Sequence, residues 1–326
     1  MIFANKERYG ITRNIFLKQS YIGYLNLCRV KTKLGISIGD ATSRDINKLV
    51  SIKKCYNEYL ERFSLGISID REDTVQSINI IDNSICNRKK KLFAYGDTSY
   101  GHNDTTGTAT GINSYIIIEK AIRELIEKND VLCFWYNDSG KVISLSEVHY
   151  QKINECNFIS NEFYCFIVEE ISNYPTIIIM CFRDKKLLAT GSSCNKTIEQ
   201  AFNEAIQEAK IMEWQQFNNK LSSFSELCPL EHETIYHEVE RKKQVMKHAD
   251  RNRYEKTNHK IELKAWIKNI EVNVIYADEK RGLKTIKCIS KELMSSIPIR
   301  ENIALYKSKE IIKRYYKNSI LDCPIV

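Results

Sequence analysis

The sequence predicts a mixed α/β (α+β) fold, with sheet elements and helices alternating along one chain. Three observations carry that prediction. Strand-sized apolar runs and helix-spaced apolar positions follow one another through the 326 residues. Only 4 prolines and 12 glycines punctuate them, with no Pro/Gly-rich linker to separate two domains. Three helical windows also superpose without gaps, which predicts internally repeated sheet-plus-helix modules.

Taken in order, residues 46 to 63 carry helix-spaced apolar positions. Tyr95 to Gly111 is rich in Gly, Thr, Asn and Asp, the composition of a loop, and leads into a helix from Asn113 to about Lys128. Val131 to Tyr136 is β-branched and aromatic, which predicts a strand, with a turn at Asp138-Ser139-Gly140 after it. Glu162 to Glu169, Pro175 to Phe182 and Lys186 to Thr190 predict strands of one sheet. The chain is then expected to turn at Gly191 into a helix from Thr197 to about Phe217. Residues 221 to 260 are polar and charged with weak helical periodicity, as in a mobile insertion. Ile261 to Asn269 predicts a short helix, and Glu271 to Ala277 and Thr285 to Ile289 two further strands. Residues 1–38 are expected to pack as an N-terminal segment on a single domain spanning 39–326.

Composition narrows the function classes. A hydrophobic fraction of 43% supports an ordinary core, and no run of 18 apolar residues exists to span a membrane. The start, Met1 to Arg8, lacks a signal peptide's apolar stretch, so a cytoplasmic location is expected. The 11 cysteines form no C-x-x-C pair, and Cys133, Cys165, Cys181 and Cys288 sit inside apolar runs. They are expected to be buried thiols in a reducing compartment. Only Cys228, His232 and His237 loosely approach zinc-ligand spacing, and they are expected in a plain loop rather than a metal site. The net charge of +8 concentrates in Arg88 to Lys91, expected to be solvated, and in Arg241 to Lys260. The second stretch suits either a solvated surface or a landing site for phosphates or an acidic peptide. Neither has the interleaved aromatics of a single-strand platform, so nucleic acid is not the expected partner.

The repeat carries the chemistry. Its windows are Ser51-Ile52-Lys53-Lys54-Cys55-Tyr56-Asn57-Glu58-Tyr59-Leu60-Glu61-Arg62, then Ile117 to Lys128, then Ala201 to Ile211. Each places a small residue (Cys55, Ala121, Ala205) three positions before a glutamate (Glu58, Glu124, Glu208). In the first two windows a second glutamate follows at i+3 and then a basic residue, giving Glu58/Glu61/Arg62 and Glu124/Glu127/Lys128. On a helix, i and i+3 share a face, so each pair presents two carboxylates together. A single E-x-x-E is common and suits a solvated face. Two in matching positions of a repeat could focus four carboxylates on Mg²⁺, whose hard oxygen preference suits bound phosphates. Before the second helix, Thr105-Thr106-Gly107-Thr108-Ala109-Thr110-Gly111 is small and hydroxyl-rich, and helix N-terminal amides there would favour an anion.

With these residues the chain resembles the YcaO-type ATP-dependent cyclodehydratases. The likeness rests on Glu58-Tyr59-Leu60-Glu61-Arg62, on Thr106 to Gly111, on Glu124-Leu125-Ile126-Glu127-Lys128 with Phe134-Trp135 downstream, and on the third helix after Gly191. The tail strands Val272 to Asp278 and Thr285 to Ile289 extend it from about residue 39 to the C-terminus. The resemblance implies a YcaO-like fold, with ATP and Mg²⁺ as cofactors. It assigns Glu58, Glu61, Glu124 and Glu127 to Mg²⁺, and Arg62, Thr106, Gly107, Thr108, Lys128 and Glu208 to the nucleotide. It implies that a Cys, Ser or Thr side chain of a ribosomally made precursor peptide attacks the preceding amide. ATP then phosphorylates the oxyanion, and phosphate loss leaves an azoline. Thioamide or amidine formation would use the same activation. A separate peptide-recognition protein would deliver the peptide, with a dehydrogenase in the same complex and a homodimer as further partners.

The sequence departs from the family's pattern at four places. Ile116 and Ile112 stand where an acidic and a polar residue are expected, eight and twelve positions before Glu124. Lys128 replaces an arginine, losing bidentate phosphate geometry. The chain ends Asp322-Cys323-Pro324-Ile325-Val326 in place of a Pro-rich tail. These departures define the alternative of a catalytically degenerate scaffold or substrate-binding subunit.

Overall fold

The computed structural model describes residues 9–12, 21–27, 31–32, 35–36, 39–67, 73–95, 104–218, 227–250, 260–317, 319 and 321–325. In chain order its strands and helices are β1 (Tyr9–Thr12), β2 (Tyr21–Asn26), β3 (Lys31–Thr32), β4 (Gly35–Ile36), β5 (Asp40–Asp45), α1 (Lys48–Ile67), β6 (Thr74–Asn79), β7 (Ile85–Lys89), β8 (Thr108–Gly111) and α2 (Ser114–Asn137). There follow β9 (Lys141–Val142), α3 (Glu147–Cys156), β10 (Glu162–Val168), β11 (Thr176–Arg183), β12 (Lys186–Cys194), α4 (Ile198–Asn218), α5 (Pro229–Val245), β13 (Glu271–Asp278), β14 (Leu283–Ile289), α6 (Arg300–Leu305) and α7 (Glu310–Tyr315). The chain divides into two compact units, where one domain from residue 39 was expected. The first is built mainly from Gln19–Lys128 and Ala265–Arg314, the second from Asn129–Lys264 and Tyr315–Val326. Much of the expected N-terminal segment, and parts of the 95–111 and 221–260 stretches, lie outside the described residues.

In the first unit, β1-β2-β5 form an antiparallel sheet and β7-β6-β13-β14-β8 a five-stranded one. Helix α1 packs on β2 and β5 and also against β8, β13 and β14. Asn47 starts it: the Asn47 side-chain oxygen accepts from the amides of Leu49 (2.9 Å) and Val50 (3.3 Å). Its buried stripe of Ser51, Cys55 and Tyr59 repeats every four residues, and Cys55, Tyr59 and Leu60 join Leu25 and Ala41 in one core. Helix α2 begins under Asn113, whose side-chain oxygen accepts from the Ile116 amide at 3.2 Å. It runs on to Asn137, so Val131 to Tyr136 is its C-terminal stretch and not a strand. A six-residue apolar run has no period of its own, and no proline or glycine interrupts the helix before it.

In the second unit, the antiparallel sheet β12-β11-β10-β9 is covered by α4. Strand β12 continues through Gly191 to Cys194, so the expected turn at Gly191 is instead a point of close approach. A Cβ there would lie 2.1 Å from the Ala205 carbonyl oxygen and 2.6 Å from the Ala209 amide nitrogen. The small residues of the third window therefore seat a helix backbone on a strand. Gly191→Ala is expected to lower stability by about 1–3 kcal/mol, the usual cost of overpacking, read from the urea midpoint. Within the 221–260 stretch, expected as a mobile insertion, Pro229–Val245 form helix α5. Its Lys242 is fully buried and donates to the carbonyl oxygens of Phe134 (3.1 Å) and Trp135 (2.8 Å) at the end of α2. Residues 262–264 are not the expected helix: the Lys264 amide donates to the Ile171 carbonyl, and the Asn173 amide to that of Glu262, as in an extended pairing.

The ten described cysteines are free thiols, mostly buried. Arg88, expected to be solvated, forks onto the buried Glu271 carboxylate at 2.9 and 2.7 Å. Among the described residues, no helix is long and apolar enough to cross a membrane.

Candidate functional site

The first two E-x-x-E pairs lie in the first unit, where Lys120 of α2 reaches Glu61 of α1. Glu58, half-buried on α1, accepts from the Thr42 amide of edge strand β5 at 3.2 Å and pairs with the Arg62 guanidinium at 2.7 Å. Arg62 also donates to the Asp40 carbonyl. Glu61, one turn on and 5% exposed, accepts from the Thr110 amide of β8 at 2.9 Å. The same Glu61 oxygen receives the Lys120 ammonium of α2 at 3.3 Å. Glu124 follows one turn after Lys120, and Glu127 pairs with Lys128 at 2.9 Å. Arg62, Lys120 and Lys128 thus counter the four carboxylates.

The crowding shows in the protonation balance. Burial, with the neighbouring Glu61 carboxylate, pushes Glu124 up to about 8 against the pull of Lys120 and Lys128. Burial also raises Glu58, although Arg62 opposes it. Lys120 is held above its ordinary value, first by Glu61 and then by Glu124 and Glu58. Burial lowers Lys287, which is fully buried on β14 and faces the charges of Asp104 and Glu124.

The threonine-rich segment is spent differently from the expectation. Thr108 to Gly111 is strand β8, paired with β14, and Thr106, Gly107 and Thr108 are buried. The Thr106 amide donates to Asp104 (2.7 Å), that of Thr108 to the Thr105 carbonyl (2.9 Å), and that of Thr110 to Glu61. None of these three amides is offered to an anion, because the turn and strand use them first. Gly107 sits at φ +73°, with its Cβ position 2.9 Å from the Cys288 carbonyl oxygen, so a glycine is required there. Lys287 fixes the same turn by donating to the Asp104 and Thr106 carbonyls, each at 2.6 Å.

Glu208 lies in the second unit, on α4. It accepts from the Ser192 amide of edge strand β12 at 2.9 Å, as Glu58 does from β5, so its visible work is to satisfy a buried strand-edge amide. Sequence reasoning gives no role of their own to Lys120, Asp104 or Lys287, and takes Thr110 only as part of the threonine-rich segment. Lys120 stands four residues before Glu124, and Lys287 interrupts an apolar strand; either position could have signalled a role. Cys228, His232 and His237 belong to α5 and its start, not to a loop.

Glu58, Glu61, Glu124 and Glu127 offer the hard carboxylate oxygens that a divalent cation takes, and burial drives Glu124 towards its neutral form. Buried polar atoms with no hydrogen-bond partner among the described residues accompany them, namely Arg62 Nε, Thr108 Oγ1 and Tyr95 Oη. Burial raises the Tyr95 hydroxyl, and it feels the charges of Arg62, Glu58 and Glu61. Among the described residues, no three acidic, His or Cys groups already stand together as a metal would need.

Sheets, helices and their order define the YcaO-like fold. The YcaO protein from Methanopyrus kandleri, bound with AMPPCP and Mg²⁺, aligns with a TM-score of 0.65 at 8% identity over 88% of this chain and 86% of its own. A chain of the E. coli microcin synthetase McbBCD complex with pro-MccB17 bound aligns with a TM-score of 0.65 at 12% identity, over 98% and 96%. A heterocyclase in complex with substrate and cofactor aligns with a TM-score of 0.65 at 12% identity, over 88% of this chain and 49% of its own. No protein-family model and no curated protein matches the sequence.

Proposed function

We propose that this protein is a YcaO-type enzyme that activates backbone amides of a ribosomally made precursor peptide with ATP, forming azolines from Cys, Ser or Thr. The observation that carries the proposal is the contact of Lys120 on α2, one turn before Glu124, with Glu61 on α1, one turn after Glu58. Glu58, Glu61, Glu124 and Glu127 would hold Mg²⁺, with Arg62 and Lys128 countering phosphate charge. Thr106, Gly107 and Thr108 shape the wall beside them rather than donate amides. Bound ATP supplies the phosphoryl group that turns an amide oxygen into a leaving group. The protein's own part is to hold the triphosphate and offset its charge. Thioamide or amidine formation remains within the same activation chemistry. The fold-level neighbours, which include a complex with a pro-peptide, support a separate peptide-recognition protein. A dehydrogenase in the same complex and a homodimer complete the proposed cytoplasmic assembly.

The test combines protein, recognition partner, precursor peptide and MgATP, following phosphate release and loss of one water per modified residue. Glu127→Ala is expected to lower both by about 10- to 100-fold or more, as loss of metal-site support does. Unchanged modification by this variant would refute the assignment. One observation favours a second reading, a substrate-binding subunit without turnover. Ile112 and Ile116, at positions where the family pattern is polar or acidic, are each 61% exposed at the start of α2. Such a subunit would bind peptide and show no heat on titration with MgATP.

A further inference from the structure

We propose that Lys120 is an exchangeable counter-ion of the acidic cluster, holding it together in the metal-free protein and leaving when a divalent cation enters. The inference rests on the nucleotide-site reading above, which gives Lys120 neither metal nor phosphate to hold. The Lys120 ammonium lies 3.3 Å from Glu61, and the Glu124 and Glu58 charges also act on it. Its ammonium ties α2 to a carboxylate of α1.

The three cations of the cluster differ in freedom. The Lys128 and Arg62 side chains are 8% and 22% exposed, whereas that of Lys120 is 51% exposed. Arg62 is further anchored by the Asp40 carbonyl. Lys120 hangs from a flexible four-carbon stem at the solvent side, so its charge can swing out at small cost in packing. Glu61 cannot follow it, because the Thr110 amide holds the carboxylate on β8. Departure of Lys120 would leave one more carboxylate charge uncompensated, a better seat for a divalent ion than the closed cluster. Arg62, Lys120 and Lys128 offset three of the four carboxyl groups while Lys120 is in place, which gives free metal little attraction. The closed cluster therefore disfavours metal alone and admits it with a phosphate ligand.

The test is Mn²⁺ binding without nucleotide, followed on the full chain by electron paramagnetic resonance. Lys120→Met is expected to bind Mn²⁺ about tenfold or more tightly than wild type, because a unit positive charge within a few ångströms of the site is gone. Lys120→Gln should behave like Lys120→Met, and Lys120→Arg like wild type; circular dichroism checks that each folds. Equal Mn²⁺ affinity in wild type and both neutral variants would overturn the proposal. A parallel titration with MgATP separates the two ideas. Nucleotide binding with no gain of Mn²⁺ affinity refutes the role of Lys120 alone. Absence of MgATP binding in all four proteins refutes the site reading beneath it.

Discussion

Glu61→Ala is expected to abolish MgATP binding and to lower folding stability by about 2–3 kcal/mol, the cost of stranding a buried donor with its charged partner. The carboxylate serves two elements at once: it accepts the Thr110 amide of β8 and the Lys120 ammonium of α2. Truncation leaves a buried strand amide without an acceptor and removes the group that holds Lys120. Glu61→Gln separates the two consequences. Its amide oxygen can still take the Thr110 N–H, so stability should be largely kept, while the lost charge should still weaken metal and nucleotide binding. Urea denaturation and calorimetric titration of the two variants check this. A Glu61→Gln protein that binds MgATP like wild type would show that the carboxylate is structural only.

The second large effect is expected in the other unit. Asp130 is fully buried and accepts from the amides of Glu170 (3.0 Å) and Ile171 (3.1 Å) and from the Thr176 hydroxyl (2.6 Å). Asp130→Ala would strand all three donors and is expected to cost about 3 kcal/mol or more. Asp130 also gives a pH signature. Burial raises its carboxyl from the ordinary 3.8 to about 7 despite the three donors. Below 3.8 it is protonated in both folded and unfolded chains. Between 3.8 and 7 the folded state holds more protons, so this group's contribution to stability falls as pH rises; above 7 it is constant. Asp130→Asn does not titrate. The stability of wild type relative to Asp130→Asn should therefore decline from pH 4 to about 7 and then level off. A difference that grows with pH would contradict the assigned direction.

Strands with clear alternation or bounded apolar runs were legible in the sequence, as were α1 and α4, whose apolar positions keep a helical period. Val131 to Tyr136 misled because an apolar stretch buried on all sides carries no period, and its helical state is set by continuity with α2. Gly191 misled because glycine serves both turns and close packing, and only the position of Ala205 and Ala209 decides which. Helix α5 was hidden by its charge: Lys242 looks solvated in the sequence, yet it caps the end of α2 from inside. At the site, the four glutamates were visible through their repeat. Their neutralisation was not, because the Lys120–Glu61 contact joins residues from different windows. The threonine segment was recognised by composition, but composition does not show that Asp104, Thr105 and Glu61 take its amides.

The central claim is that carboxylates from α1 and α2 share a metal that carries nucleotide phosphates. Crystals grown with Mn²⁺ and a non-hydrolysable ATP analogue test it most directly, through the anomalous difference map. The expected result is a peak about 2 to 2.5 Å from carboxylate oxygens of both helices, with phosphate beside it. Nucleotide density elsewhere, or no anomalous peak at these glutamates with the analogue present, would contradict it.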